Sequence, residues 1–286
     1  MVFPTWFANT MTRLESKKSR RARRRPAALR PTPAEPHLEP LEERLALSGF
    51  GPADGAYIVE PWIGSYSDVQ IQPGDQKIVA AGQVNPNNDY TDLRMAIARY
   101  DSLGNPDSTY GSGGPSILPL NGVSAPPLGP SNESGHDLVL QSDGKAVVSG
   151  FKSADSSFAV VRFNTSGTLD SGFGNAGWNS LDPAFYDGYD PATGVALQST
   201  GKVVVAGRTT TGSLSSATPS SAAVARFTAS GAIDSGKGAF GQIAQGKASG
   251  YTLSTYGFTR NIFFDLTVQP DDKLVAVGKA FTDANS

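Results

Sequence analysis

The chain contains no cysteine. No disulfide can brace it, no thiolate can hold a metal, and no cysteine can act as a nucleophile. Histidine is nearly absent as well, with two in the whole chain and only His136 beyond its first 50 residues. A nucleophile–base pair of the usual kind is therefore not available, and a lone histidine at the start of a strand reads as packing rather than catalysis. No apolar run approaches the roughly 18 residues that a membrane helix requires, so no membrane span is expected. Phosphate-loop, dinucleotide and metalloprotease-helix motifs are missing too. Carboxylate-only catalysis is the chemistry left open, because it needs just two acids at the right separation.

What the chain has in quantity is glycine, 32 residues, and proline, 20, against only 17% charged residues. Gly and Pro permit tight reversals, so this balance describes many short connections and favours an all-β fold. The net charge of -2 hides an asymmetry: residues 1–48 carry ten Lys and Arg against five Asp and Glu, leaving 14 against 21 for the remainder. An acidic body without a basic stripe offers no footprint for phosphates, and nucleic acid is not expected as a partner.

Residues 1–50 read as a basic, Pro-rich, disordered targeting segment. The cluster Lys17, Lys18, Arg20, Arg21, Arg23, Arg24 and Arg25 has the charge of an export signal, but Pro26, Pro31, Pro33, Pro36 and Pro40 interrupt the apolar stretch that should follow. The run from Leu38 to Ser48, Leu-Glu-Pro-Leu-Glu-Glu-Arg-Leu-Ala-Leu-Ser, resembles the LEPLE-x-R-x-L-x-S segment of large exported proteins of planctomycete-type bacteria. The resemblance implies export to the cell surface or beyond. Residue chemistry alone reads the same run as a short amphipathic turn inside a disordered tail.

Residues 51–286 hold a repeat, in units near 66–120, 136–182, 193–245 and 264–286. Four turns share one pattern: Gln72 to Lys77, Gln141 to Lys145, Gln198 to Lys202 and Gln269 to Lys273, each Lys followed five residues on by Gly82, Gly150, Gly207 or Gly278. Apolar runs on both sides of an Asp/Gly connection read as a β-hairpin. In the first three units Arg99, Arg162 and Arg226 each precede an aromatic residue; a glycine follows five residues past each Arg, and Asp107, Asp170 or Asp234 three past that. An Arg that recurs with its own Asp reads as an internal bidentate pair pinning one connection, in preference to a ring for anions. Phe163, Phe173, Phe227 and Phe240 read as core between units.

The unit resembles the Delta-60 repeat, a β-propeller-type repeat. The expected fold is a β-propeller-like array of four-stranded antiparallel blades, with about three and a half repeats present. Closed propellers typically have four to eight blades, so the array reads as an incomplete piece of a longer protein or one that self-associates through open edges. Connection lengths vary after strands 2 and 4 and hardly at all after strands 1 and 3. In a meander the variable pair shares one end of the blades, which becomes the expected working face.

Within the variable connections Asn87, Asp89, Tyr90, Asp92, Tyr186, Asp187, Tyr189 and Asp190 combine aromatic faces with side-chain oxygens. Such clusters suit sugar stacking or a calcium ion, but their spacing matches no known calcium loop and a solvated loop is the plainer reading. No cofactor is expected. The functional expectation is a non-catalytic exported scaffold, a binding or adhesion module for carbohydrate or a cell-surface protein. The alternative is a carbohydrate-active enzyme using paired loop acids.

Overall fold

Each hairpin turn is closed by its own residues. The Gln amide donates to the Lys carbonyl, as in Gln141 N to Lys145 O at 2.8 Å and Gln198 N to Lys202 O at 3.0 Å. The turn Asp accepts from the Lys amide through Oδ1, in Asp75, Asp143 and Asp271 alike. The residue before Lys takes positive φ: Gly144 and Gly201 do so freely, whereas Gln76 and Asp272 adopt it at φ 59° and 63°. The computed structural model describes residues 64–85, 93–111, 123–124, 132–153, 157–182, 191–210, 219–237, 239–241, 243–244 and 247–282. The candidate residues in 86–92 and 183–190 lie outside these.

Strands β1 (Gly64–Ile71), β2 (Ile78–Val84), β3 (Arg94–Tyr100) and β4 (Val123–Ser124) form a first antiparallel meander. A second is built from β5 (Glu133–Leu140), β6 (Ala146–Lys152), β7 (Ser157–Phe163) and β8 (Trp178–Leu181). The third comprises β9 (Ala192–Leu197), β10 (Val203–Thr210) and β11 (Ser220–Phe227), then a small hairpin of β12 (Ile243–Ala244) and β13 (Lys247–Ala248), and β14 (Tyr251–Ser254) as the fourth strand beside β11. The last unit is the hairpin of β15 (Arg260–Val268) and β16 (Leu274–Phe281). A single parallel bridge, Ser220 to Arg260, ties this hairpin to the third meander. No helix occurs among the described residues, and accordingly none is long and apolar enough to cross a membrane.

The glycine five residues after each Lys marks a β-bulge. Gly82 pairs with Tyr66 while Ala81 pairs with Asp68, which leaves Ser67 as an extra residue. His136, Thr193 and Phe264 are the extra residues of the other three first strands. The bulge presses the first strand onto the second: a Cβ on Gly82, Gly150, Gly207 or Gly278 would stand between 1.8 and 2.0 Å from the carbonyl oxygen of Ser65, Ser134, Pro191 or Ile262. Only glycine fits opposite such a kink.

Blades stack through alternate residues of the pleat. Val79, Ala81, Met95 and Ile97 on one face of the first blade meet Ala146, Val148, Ala159, Val161 and Phe163 of the second. The same positions one unit on, Val147, Phe158 and Val160, meet Val203, Val205, Ala223, Ala225 and Phe227 of the third. Phe158, Phe163, Phe173 and Phe227 are fully buried between blades, while Phe240 packs half-buried against Val204, Val224 and Leu266.

Candidate functional site

The repeated charges converge at one end of each blade. Lys stands just before strand 2, Arg near the end of strand 3, and Asp in the connection that follows, so a hairpin turn and a strand 3-to-4 connection meet there. In the first blade Asp107 Oδ2 accepts from Arg99 Nε at 2.9 Å and from Lys77 Nζ at 2.8 Å. In the second, Asp170 Oδ2 takes Arg162 Nε at 2.8 Å and Lys145 Nζ at 2.9 Å. In the third, Asp234 Oδ2 takes Arg226 Nε at 2.6 Å and Lys202 Nζ at 3.0 Å. Each guanidinium also lies over the ring that closes the connection: Tyr110 at 4.2 Å, Phe173 at 4.5 Å, Phe240 at 4.7 Å.

The Arg fork is not spent on the carboxylate alone. Arg99 Nη1 donates to Thr165 O at 3.0 Å and Arg162 Nη1 to Ala229 O at 2.8 Å, both in the next blade. A simple bidentate pair would leave the seam between blades untied; here one guanidinium grips its own connection and its neighbour's together. Beside it Gly111 N donates to Ser166 O and Gly174 N to Ser230 O. A Cβ on Gly167 or Gly231 would come within 2.7 Å and 2.6 Å of those amide nitrogens. The glycine five residues past Arg takes positive φ in all three units, at 84° in Gly104 and 82° in Gly167 and Gly231, and close approach at the seam adds a second reason in the latter two.

Electrostatics at this end follow the geometry. Burial works against ionising Asp107, but hydrogen bonds from Lys77 and Thr109 and the charge of Arg99 outweigh it and hold the carboxyl well below the usual range. Asp170 and Asp234 are lowered in the same way, burial being outweighed chiefly by Lys145 in one and by Lys202 and Arg226 in the other. The unfolded chain therefore binds protons more readily at these sites. Their stabilisation is present above about pH 4 and is lost as pH falls through the lowered folded values.

A second set of ties joins the first strands of successive blades. Asp68 Oδ2 accepts from Leu138 N at 3.2 Å, and Asp137 Oδ2 from Val195 N at 2.6 Å, each in the following blade. Asp137 Oδ1 also takes Leu138 N at 2.9 Å, which brings the two carboxyls together. The third blade has Gly194 at this position, where a Cβ would meet Asp265 Cα at 2.9 Å. Thr193 Oγ1 donates to Phe263 O at 2.7 Å, as Ser67 Oγ donates to Gly135 O at 3.0 Å in the first blade, so this tie persists where the carboxylate is missing.

Burial pushes the Asp137 carboxyl up; its amide hydrogen bonds pull it down, and the Asp68 charge adds to the rise. The sign is opposite to that of the triads. The folded state holds this proton more tightly than the unfolded chain, so its contribution is full below the ordinary carboxylate value of 3.8 and declines as pH rises towards the raised folded value. An Asn at 137 would keep an acceptor for the backbone and offer Asp68 a permanent donor. Urea unfolding of Asp137→Asn is expected to show a gain in stability over the parent at about pH 8 that shrinks at about pH 5. An equal gain at both values would contradict the assignment.

The opposite end of the blades, from which connections 86–92, 154–156 and 211–218 leave, buries polar side chains instead of charges in triads. Asn85, Glu133, Lys152, Thr209, Thr210, Ser220 and Asn261 are each less than 9% exposed. Asn132 receives Leu93 N on Oδ1 at 2.9 Å, and Ser220 and Asn261 exchange hydrogen bonds between the third and fourth units. Asn85 is 3% exposed, and neither its Nδ2 nor its Oδ1 has a hydrogen-bond partner among the described residues. Sequence reasoning passed over these residues, because Asn, Ser and Thr beside a turn look like ordinary solvated punctuation. Asn87, Asp89, Tyr90, Asp92, Tyr186, Asp187, Tyr189 and Asp190 fall outside the described residues. His136 is a bulge residue with Nε2 at 3.0 Å from Ser134 Oγ, and burial lowers its pKa. No group of three or more Asp, Glu or His able to hold a metal occurs among the described residues.

Repeated meanders stacked face to face, with their first strands as neighbours, define an all-β protein of the β-propeller type. Residues 141–173 and 198–236 match a family described as "Domain of unknown function (DUF5122) beta-propeller". Both stretches run from the turn Gln through strands 2 and 3 into the Asp connection, so a propeller-type repeat family is supported. Comparison with curated proteins finds no match. Among solved structures, 1,3Gal43A, an exo-beta-1,3-galactanase from Clostridium thermocellum, is similar at 12% identity with a TM-score of 0.35, over 73% of this chain and 40% of that one.

Proposed function

We propose that the chain is a non-catalytic binding module, an exported propeller-type scaffold that recognises its ligand at the end carrying the variable connections. One observation carries this reading: in all three complete units the recurrent Lys, Arg and Asp at the other end are satisfied by one another. At that end Gln72 and Gln141 each keep a buried Oε1 without a partner among the described residues, and at the variable end Asn85 is buried with none for its side-chain amide. The connections there bring Tyr90, Tyr186 and Tyr189 together in sequence with Asn87, Asp89, Asp92, Asp187 and Asp190, a composition suited to stacking on sugar rings and bonding their hydroxyls. Export rests on the Leu38 to Ser48 segment.

A glycan panel run beside a hydrolysis assay tests the proposal. Saturable binding without turnover is expected, with Tyr186→Ala and Asp89→Asn each weakening it at least about tenfold by removing a stacking face or a charged acceptor. Turnover of any panel member that Asp187→Asn abolishes would replace this reading with a carboxylate-based enzyme. No metal is required, so the melting temperature should not respond to a chelator.

A further inference from the structure

Between the first strands of the first and second blades, two carboxyls compete for a single donor. Leu138 N donates to Asp68 Oδ2 at 3.2 Å and to Asp137 Oδ1 at 2.9 Å, while Val195 N donates to Asp137 Oδ2 at 2.6 Å. The Asp68 and Asp137 side chains also hydrogen-bond to each other. Ionised carboxylates only accept, so that bond exists only while one proton lies between them. With the proton in place, a chain of bonds runs from β1 through β5 to β9. Without it, two like charges face each other over one amide.

The other charges on the strands packed against β5, namely β1, β2, β3, β6 and β9, are engaged elsewhere. β2 and β9 carry no ionisable side chain. On β3, Arg99 is held by Asp107 and Thr165 O, Tyr100 bonds through its hydroxyl to Tyr66 of β1, and Arg94 is the register partner of Val84 at the variable end. Lys152 of β6 and Glu133 of β5 are register partners at the same end. His136 lies against Ser134. Asp68 is the neighbouring charge that acts on Asp137.

The bonds of the pair are unequal, which decides what moves. Asp137 holds two amides, whereas Asp68 has among the described residues only the shared one, at the longer distance, besides Asp137 itself. Repulsion therefore displaces Asp68 and leaves Leu138 N with the side chain of its own chain neighbour. β1 stays beside β5 through Ser67 Oγ, which donates to Gly135 O at 3.0 Å, and Gln70 Oε1, which accepts from Leu140 N at 3.3 Å. The fourth unit provides a comparison: Asp265 caps Leu266 N at 2.7 Å as Asp137 caps Leu138 N, but Gly194 in the preceding blade offers it no second carboxyl.

We propose that Asp68 and Asp137 form a proton-operated catch between the first strands of the first and second blades, closed while they share a proton and opened when both ionise. Because the folded chain holds this proton more tightly than the unfolded one, the catch is closed in acid and opens as pH rises through the raised value of the pair. Release is confined to this contact: the same seam stays shut at its hairpin end, where Gly111 N donates to Ser166 O.

Amide hydrogen exchange of the full chain at about pH 5 and about pH 8, each rate divided by the intrinsic rate of that amide at that pH, is the test. Protection at Leu138 is expected to fall at least about tenfold between the two, the effect of one pH unit beyond release of the shared proton, while Gly111 changes by less than about twofold. Asp68→Asn should abolish the fall, since its side chain accepts from Leu138 N and donates permanently to the ionised Asp137. Asp265→Asn and His136→Gln should both retain it. Constant protection at Leu138, an equal fall at Gly111, persistence of the fall in Asp68→Asn, or its loss in either of the other two variants would overturn the proposal.

Discussion

Asp107→Ala is expected to lower the free energy of unfolding by about 3 kcal/mol, a fall in melting temperature of about 6–12 °C for a chain of this size. The loss comes from the partner left behind. Arg99 is 7% exposed and held under the first and second blades by Thr165 O and the Tyr110 ring, so its charge cannot reach water when the carboxylate is removed. Lys77 is different: at 30% exposure it can swing towards Asp75. Lys77→Met should therefore cost under about 1 kcal/mol. Joint replacement in Arg99→Met/Asp107→Leu should be less damaging than Asp107→Ala alone, since no buried charge then lacks a partner. Urea unfolding of the four proteins checks the ordering. Equal small losses throughout would mean that the triad is a surface ion pair.

Gly150→Ala is expected to cost about 3 kcal/mol or more, beyond the usual range for adding a methyl group to a tight core. Its Cβ would sit 1.8 Å from Ser134 O and 2.8 Å from Met95 Cε. Met95 can shift. The carbonyl cannot, because the bulge at His136 fixes it. Gly74 provides the comparison: it has φ 99° but open space around it, so Gly74→Ala meets backbone strain without collision and should cost about 1–2 kcal/mol. A Gly150→Ala protein as stable as the parent would show that the first strand is not pressed onto the second.

These two positions differ in how far they were legible. The turns could be read because their chemistry is local: Asp143 caps an amide two residues away and Gly144 supplies the positive φ. The Arg and Asp pairing was legible from recurrence at a fixed spacing of eight residues. What recurrence could not give is the partner across the seam. Thr165 O and Ala229 O are backbone atoms 66 and 67 residues from their Arg, and a carbonyl leaves no mark on residue type. The glycine within strand 2 was visible as a constant but not as a bulge, since a bulge belongs to two strands and the extra residue, Ser67, His136, Thr193 or Phe264, has no consistent chemistry. Gly194, where the first two blades have Asp68 and Asp137, marks a close approach of the first strands of the third and fourth units. Buried polar groups at the variable end, Asn85 and Glu133 above all, were invisible because burial there is set by neighbouring blades rather than by local apolar periodicity.

The regular residues of the repeat tie one blade to the next. Native-state hydrogen exchange at the amides of Gly111 and Gly174 tests this most directly, since each is bonded to a carbonyl of the following blade. Both amides are expected to exchange as slowly as the strand 2 amides of Val147 and Val204, opening only with global unfolding. Exchange at the rate of an exposed loop, while those strand amides stay protected, would show that the blades are separate units and that the repeated charges do not join them.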